Sequence, residues 1–157
     1  MTGQERKVIV APFPRTMAEI FAETDLDRLG GIAEIVWGRD EPMPADRLAA
    51  ALHHAWALVS FEPALDAGQL QASPNLRAVV EVGGHFPAGI DYEACFTRGI
   101  RVLSCAPAFA RQVAEMALAM TLASGRGLVA AHLDFRAGRE AWQGDRQGDF
   151  SLYGQEI

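Results

Sequence analysis

The sequence has 157 residues and a mass of 17.0 kDa, a length that favours one domain. Its 14 Lys and Arg against 20 Asp and Glu give a net charge of −6, which argues against a protein that binds nucleic acid through phosphates. No apolar run reaches the roughly 18 residues of a membrane span, and the N-terminus lacks the apolar segment of a signal peptide. Two cysteines are too few for a disulfide framework. We therefore expect a cytoplasmic protein without nucleic-acid or membrane partners.

The apolar pattern alternates between strand-like and helix-like periods along residues 7–103. Short apolar runs predict five strands, at 7–11, 33–37, 57–60, 77–82 and 100–103. Helical patterns between them predict helices at 16–26, 45–55, 65–72 and 91–96. Thr16 with Glu19 matches a capping box, and Asp91 is the predicted cap of the last of these helices.

The five predicted strands are nearly continuous in apolar character, which is typical of a parallel sheet with helices on both faces. Both the flavodoxin-like and the Rossmann strand orders fit this pattern. Either order places ligands at the carboxyl ends of the strands. The loops at 12–15, 60–64, 83–89 and 105–109 are therefore the candidate ligand-binding segments.

A pair of glycines, Gly83 and Gly84, follows the strongest predicted strand, with His85 beside them. Adjacent glycines allow backbone amides to approach a small anion closely, although a tight turn can require them for its conformation alone. A histidine at this place can donate a hydrogen bond or exchange a proton, or it can simply be solvated. The turn is thus the strongest candidate site that the residues themselves indicate.

Other motif matches are rejected because the residues around them do not fit the motif. Residues 125–130 match the dinucleotide fingerprint G-x-G-x-x-G/A, but they follow a long helical pattern where the fingerprint requires a strand, so we expect a break between helices. His53 and His54 are neighbours on a predicted helix, point in different directions and make a poor metal pair. We find no Ser/His/Asp set and no zinc-ligand spacing, and we predict no metal site.

The segment 110–124 is helical in composition and apolar on almost every side. Such a helix needs burial all round, which a single five-stranded domain does not offer. We therefore expect it to pack against a second body, either another subunit or a further domain. A more polar helix is predicted at 128–137, and the residues after 142 are typical of a linker.

The order of several segments resembles the D-2-hydroxyacid dehydrogenase family, which includes phosphoglycerate, glyoxylate/hydroxypyruvate and formate dehydrogenases. The resemblance is carried by PNLR at 74–77, GIDYEAC at 89–95, RGIRV at 98–102, APAFA at 106–110 and VAEMAL at 113–118. RAGREAW at 136–142 is similar to the segment that follows the long dimerisation helix of the family.

The resemblance implies a flavodoxin-like α/β fold, with a five-stranded parallel sheet, helices on both faces and a long C-terminal dimerisation helix. It implies a substrate domain at 1–105, interface helices and an arm at 106–142, and at 143–157 a linker and the start of a nucleotide-binding domain. The catalytic Arg, Glu and His of the family would lie in that further domain, so no catalytic residue is assigned here.

Two kinds of site residue follow from the resemblance. Aligned on Ile90, the residues Gly83, Gly84 and His85 fall on the family segment whose backbone amides bind the substrate carboxylate. His85 and Val113 fall where the family borders the cofactor.

The turn also departs from the family pattern. Phe86, Ala88 and Gly89 stand where the family has glycine, aspartate and asparagine. These departures mark a divergent subgroup and leave the identity of the substrate open.

The implied function is hydride transfer between a nicotinamide and a small 2-hydroxy or 2-oxo acid, with NAD or NADP bound mainly by the further domain. A homodimer is also implied, and the 157-residue chain is expected to be inactive by itself. The alternative is a non-catalytic, flavodoxin-like binding module that dimerises through the segment 110–124.

Overall fold

The computed structural model describes residues 6–139 and 150–154. The chain divides between Ala108 and Phe109 into two compact units. The predicted arm and linker at 140–149, and the last three residues, lie outside the described residues. The described part of the C-terminal segment, 150–154, includes a turn.

The first unit alternates strands and helices, as the apolar pattern predicts. Its elements are β1 (Lys7–Ala11), α1 (Met17–Ile20), α2 (Glu23–Gly30), β2 (Glu34–Trp37), α3 (Ala45–Leu52), β3 (Ala55–Ser60), α4 (Ala67–Gln71), β4 (Ala78–Glu81), α5 (Tyr92–Thr97) and β5 (Arg101–Ser104). The helix α6 (Ala106–Gly125) leads into the second unit, which also contains α7 (Leu128–Arg136).

The five strands form one parallel sheet in the order β2-β1-β3-β4-β5. This is the flavodoxin-like order, so the prediction of that fold is confirmed and the Rossmann order is excluded. The register aligns Ala11 with Ser60, Ser60 with Glu81, and Glu81 with Ser104. Four neighbouring strands therefore end at the same level, and their following loops leave one edge of the sheet together.

The sheet is buried on both faces, as the continuous apolar strands predict. Successive side chains of a strand point to opposite faces, and in β1 Ile9 belongs to one core cluster while Val8 and Val10 belong to another. Leu58 and Val79 join Ile9 in the larger cluster, and all three are essentially without solvent contact.

One helix prediction, at 16–26, is wrong in its continuity. Thr16 forms the predicted capping box with Glu19, but α1 ends after one turn because Phe21 is extended. A second helix, α2, then begins at Glu23. The break lets both Phe21 and Leu29 pack against the smaller core cluster, so tertiary packing outweighs the local helical preference.

Within the described residues, the second unit contains two helices, which are separated by a bend of 60°. Gly127 has a left-handed backbone, with φ of 55°, and caps the start of α7. The fingerprint-like residues 125–130 therefore lie at a break between helices, as predicted, and not after a strand. Among the described residues, no single helix has the length and hydropathy of a membrane span. The bent pair α6 and α7 meets both criteria only when the two helices are counted together.

Candidate functional site

The loops that follow β3 and β4 meet at the carboxyl edge of the sheet, where parallel α/β sheets bind ligands. The ring of Phe61 lies beside Gly83, and a Cβ atom on Gly83 would come within 2.8 Å of that ring. The rings of Phe61 and His85 meet edge to face, with centroids 6.4 Å apart. A side chain at position 83 has no room, which explains why glycine is needed there.

The last residue of β4, Glu81, organises the turn. Its Oε1 accepts a hydrogen bond from the amide of Gly83 at 2.5 Å, and its Oε2 accepts bonds from the amides of Gly84 and His85 at 2.7 and 3.0 Å. Gly84 reaches this arrangement with a φ of 95°, which favours glycine. The turn is therefore an anion-binding cluster of amides that holds a carboxylate of the same chain.

Glu81 is fully buried, and burial by itself opposes its ionisation. The three amide hydrogen bonds and the nearby His85 outweigh that effect and hold the pKa of Glu81 below its ordinary value. Burial, together with this fixed negative charge, raises the pKa of the Cys105 thiol. The carboxyl of Glu81 is thus ionised at neutral pH, at the centre of the edge.

His85 stands between two carboxylates. Its Nε2 lies 3.4 Å from Oε1 of Glu62, and its Nδ1 lies 3.9 Å from Oε1 of Glu81. Glu62 holds an uncommon backbone conformation for a residue other than glycine, with φ of 43°, and its carboxylate reaches the histidine. The side chains of His85 and Glu62 are 45% and 61% exposed, so a ligand can reach both.

Three of the predicted site residues, Gly83, Gly84 and His85, lie together in this turn. Val113, the fourth, lies on α6 in the second unit with 62% of its surface exposed. His53 and His54 are exposed, as predicted. Within the described residues no group of three or more His, Cys, Asp or Glu is arranged to hold a metal ion.

Glu81 and Glu62 were not among the site residues predicted from the sequence. Glu81 had a visible signal, because it is the one charged residue within the apolar run 78–82 and lies two residues before Gly83. Glu62 had none, since its position depends on how the loop after β3 folds towards His85.

The close contacts around Gly83 predict the effect of adding a methyl group. A Cβ there would also come within 2.6 Å of Oε1 of Glu81, so Gly83→Ala should force the turn apart and lower the free energy of unfolding by about 2 kcal/mol. Urea denaturation measures the change. The matched control is Gly30→Ala at the end of α2, where nothing lies within 4 Å, and which should cost no stability. Equal effects of the two substitutions would contradict the close packing of the turn.

Comparisons with a family model, with curated proteins and with solved structures all match the same family. Residues 8–148 match the family model of the D-isomer specific 2-hydroxyacid dehydrogenase, catalytic domain. A D-3-phosphoglycerate dehydrogenase from Mycobacterium tuberculosis is 29% identical over 144 residues, which are 90% of this chain and 26% of that protein.

Solved structures agree with this match. A phosphoglycerate oxidoreductase from Rhizobium etli is 32% identical with a TM-score of 0.67, and the match covers 98% of this chain and 47% of that one. A 3-phosphoglycerate dehydrogenase from Entamoeba histolytica with bound NAD+, 21% identical with a TM-score of 0.51, shares the fold over 78% of this chain and 40% of that one.

The chain spans 26% of the length of the curated relative and 47% of the Rhizobium etli structure. The family match nevertheless covers most of the 157 residues, and the sheet order is the one that the family resemblance implies. The chain belongs to the D-isomer specific 2-hydroxyacid dehydrogenase family and represents its catalytic domain.

Proposed function

We propose that the chain contributes the substrate-binding part of an NAD(P)-dependent oxidoreductase that acts on the CH–OH group of D-2-hydroxy acids. The observation that carries the proposal is the glycine turn with His85, which lies at the ligand-binding edge of a sheet whose family acts on 2-hydroxy acids. Gly83, Gly84 and His85 border the substrate, and His85 and Val113 border the nicotinamide.

Among the described residues, no strand is followed directly by the glycine fingerprint of a dinucleotide-binding site. The only dinucleotide-like glycine pattern among them lies between α6 and α7, so its amides do not follow a strand as phosphate binding requires. NAD or NADP would therefore be held mainly outside this chain. The bound NAD+ of the Entamoeba histolytica relative supports a nicotinamide as the cofactor class.

The 157-residue chain by itself is expected to show no turnover, because residues 8–148 match the catalytic domain of the family and no described strand leads into a dinucleotide fingerprint. The test supplies the purified chain with NADH or NADPH and a panel of 2-oxo acids and follows absorbance at the wavelength of the reduced nicotinamide. No loss of absorbance above the rate without protein is the expected result. Measurable consumption of the nucleotide would overturn this part of the proposal.

The competing function is a non-catalytic binding module that dimerises through α6. Apolar side chains are exposed along this helix, for example those of Met116, Leu118 and Met120. Their exposure supports the binding module as strongly as it supports an enzyme subunit. The gene beyond Ile157 discriminates between the two. A strand followed by G-x-G-x-x-G/A supports the enzyme, and a stop codon supports the module.

We further propose that the protein forms a homodimer through α6 and works in the cytoplasm, without a nucleic-acid or membrane partner. The proposed division into 1–105, 106–142 and 143–157 also stays a prediction. Two free thiols, Cys95 and Cys105, support a reducing compartment.

A further inference from the structure

The amides of the turn are already used. The N–H groups of Gly83, Gly84 and His85 all donate to the two carboxylate oxygens of Glu81. Glu81 has no solvent-exposed surface, so a ligand cannot reach its oxygens while the turn is closed. A second carboxylate would have to expel the first, because these three N–H groups point at Glu81 and two buried carboxylates would repel each other.

Glu81 is also held firmly in this place. Hydrogen bonds from backbone amides to a carboxylate are charge-assisted and stronger than those between neutral groups. These bonds lower the pKa of Glu81, so its carboxyl stays ionised. If the charged side chain left the amides, it would either remain buried without hydrogen-bond partners or disrupt the end of β4. Exchange of Glu81 for a substrate carboxylate is therefore unfavourable.

The imidazole of His85 is the one side chain of residues 83–85 that can bind an anion. Gly83 and Gly84 have no side chains, and their amides are bonded to Glu81. The His85 side chain is 45% exposed, and its Nε2 lies 3.4 Å from Glu62, longer than an ordinary hydrogen bond. Contacts between such exposed groups are weak, so a ligand can replace Glu62 at the imidazole.

We propose that Glu81 is a positioning residue that fills the turn amides and thereby fixes His85, whose imidazole exchanges Glu62 for the carboxylate of the substrate. This inference rests on the proposed function, because it takes the substrate to bind at this edge. It differs from the family resemblance, which assigns the substrate carboxylate to the turn amides. In this chain an internal carboxylate has that place.

The test is a titration of the isotope-labelled 157-residue chain with oxalate, a stable dicarboxylate that resembles a 2-oxo acid, followed by NMR. We expect the ring resonances of His85 to shift saturably, while the amide resonances of Gly83 and Gly84 stay in place. Glu62→Gln should bind oxalate about two- to fivefold more tightly, since the competing carboxylate is gone. Glu93→Gln on α5, with the same change in net charge at an exposed position, should bind as the wild type does.

A second arm tests the role of Glu81 directly. In Glu81→Ala, the vacated amides should bind formate, and saturating formate should return the amide resonances of Gly83 and Gly84 towards their wild-type positions. The wild type should not respond to formate at these amides. Absence of this rescue in folded Glu81→Ala would contradict the positioning role.

The oxalate titration separates the two proposals. One result would overturn this inference and leave the proposed function standing. In it, oxalate saturably shifts the amide resonances of Gly83 and Gly84 in the wild type, and the carboxyl resonance of Glu81 changes because Glu81 has left the amides. If residues 83–85 show no saturable response to oxalate in either the wild type or Glu62→Gln, the substrate does not bind at this edge. That result would overturn both the inference and the proposed function. Equal tightening by Glu62→Gln and Glu93→Gln would reduce the effect to net charge and would also overturn the inference.

Discussion

Glu81→Ala is expected to lower the free energy of unfolding by about 3 kcal/mol. The substitution leaves the amides of Gly83, Gly84 and His85 without their acceptor in a buried turn. It also removes a fully buried side chain at the end of β4, between Ser60 and Ser104 in the sheet register. Urea denaturation of the two proteins at neutral pH measures the difference.

Two further proteins make the result specific. Glu81→Gln keeps the shape of the side chain but places an NH2 group against N–H donors, so we expect most of the loss to remain. Glu93→Gln, at an exposed position of α5, should change stability by less than about 0.5 kcal/mol. A loss below about 1 kcal/mol in Glu81→Ala would contradict the account of the turn.

The dependence of stability on pH follows from the same carboxyl. The pKa of Glu81 is lower in the folded protein than its ordinary value of 4.5, so folding favours the ionised form. Its contribution to stability is fully present above about pH 4.5 and is lost as the pH falls from there through the native pKa. Glu81→Gln should therefore lose less stability than the wild type on acidification through this range, and an equal loss would contradict the assignment.

Met120→Lys in α6 is expected to convert the proposed homodimer into a monomer, with dimer affinity reduced by about 100-fold or more. The side chain of Met120 is 63% exposed in the single chain and lies on a helix that is apolar on nearly every side. An interface there would bury a lysine without a partner, at a cost that such an interface cannot offset. Light scattering over a range of protein concentrations measures the mass of the assembly.

Phe96→Lys is the matched control, because Phe96 on α5 is 69% exposed but lies outside α6. We expect this variant to have the same assembly state as the wild type. A wild-type chain that stays monomeric at high concentration would contradict the proposed interface. Equal dissociation in both variants would assign the effect to charge and not to α6.

The strands of this protein could be predicted because each has an apolar centre and turn residues follow its end. The helix at 16–26 could not be predicted as two helices, because Phe21 is extended only to meet a core that the local sequence does not specify. The apolar pattern alone did not determine the strand order, because the composition of a strand does not show which other strand it pairs with. The resemblance to the family supplied the order that the structure confirms.

The candidate site could be predicted in part for the same reasons. Gly83, Gly84 and His85 were found because glycine pairs after a buried strand mark the ligand edge of a parallel sheet. The role of Glu81 depends on a side chain that folds back onto its own turn, which spacing alone does not show. Glu62 comes from a different loop, and its contact with His85 exists only after β3 and β4 have paired.

The most direct test of the central claim, that this chain supplies the substrate edge of a hydroxyacid dehydrogenase, is steady-state kinetics on the protein that the complete gene encodes. We expect oxidation of NADH or NADPH with at least one 2-oxo acid. We also expect His85→Ala to raise the KM for that acid by about tenfold or more, because the substrate loses one hydrogen bond to a charged group. No turnover with any 2-oxo acid by the folded protein, or an unchanged KM in His85→Ala, would contradict it.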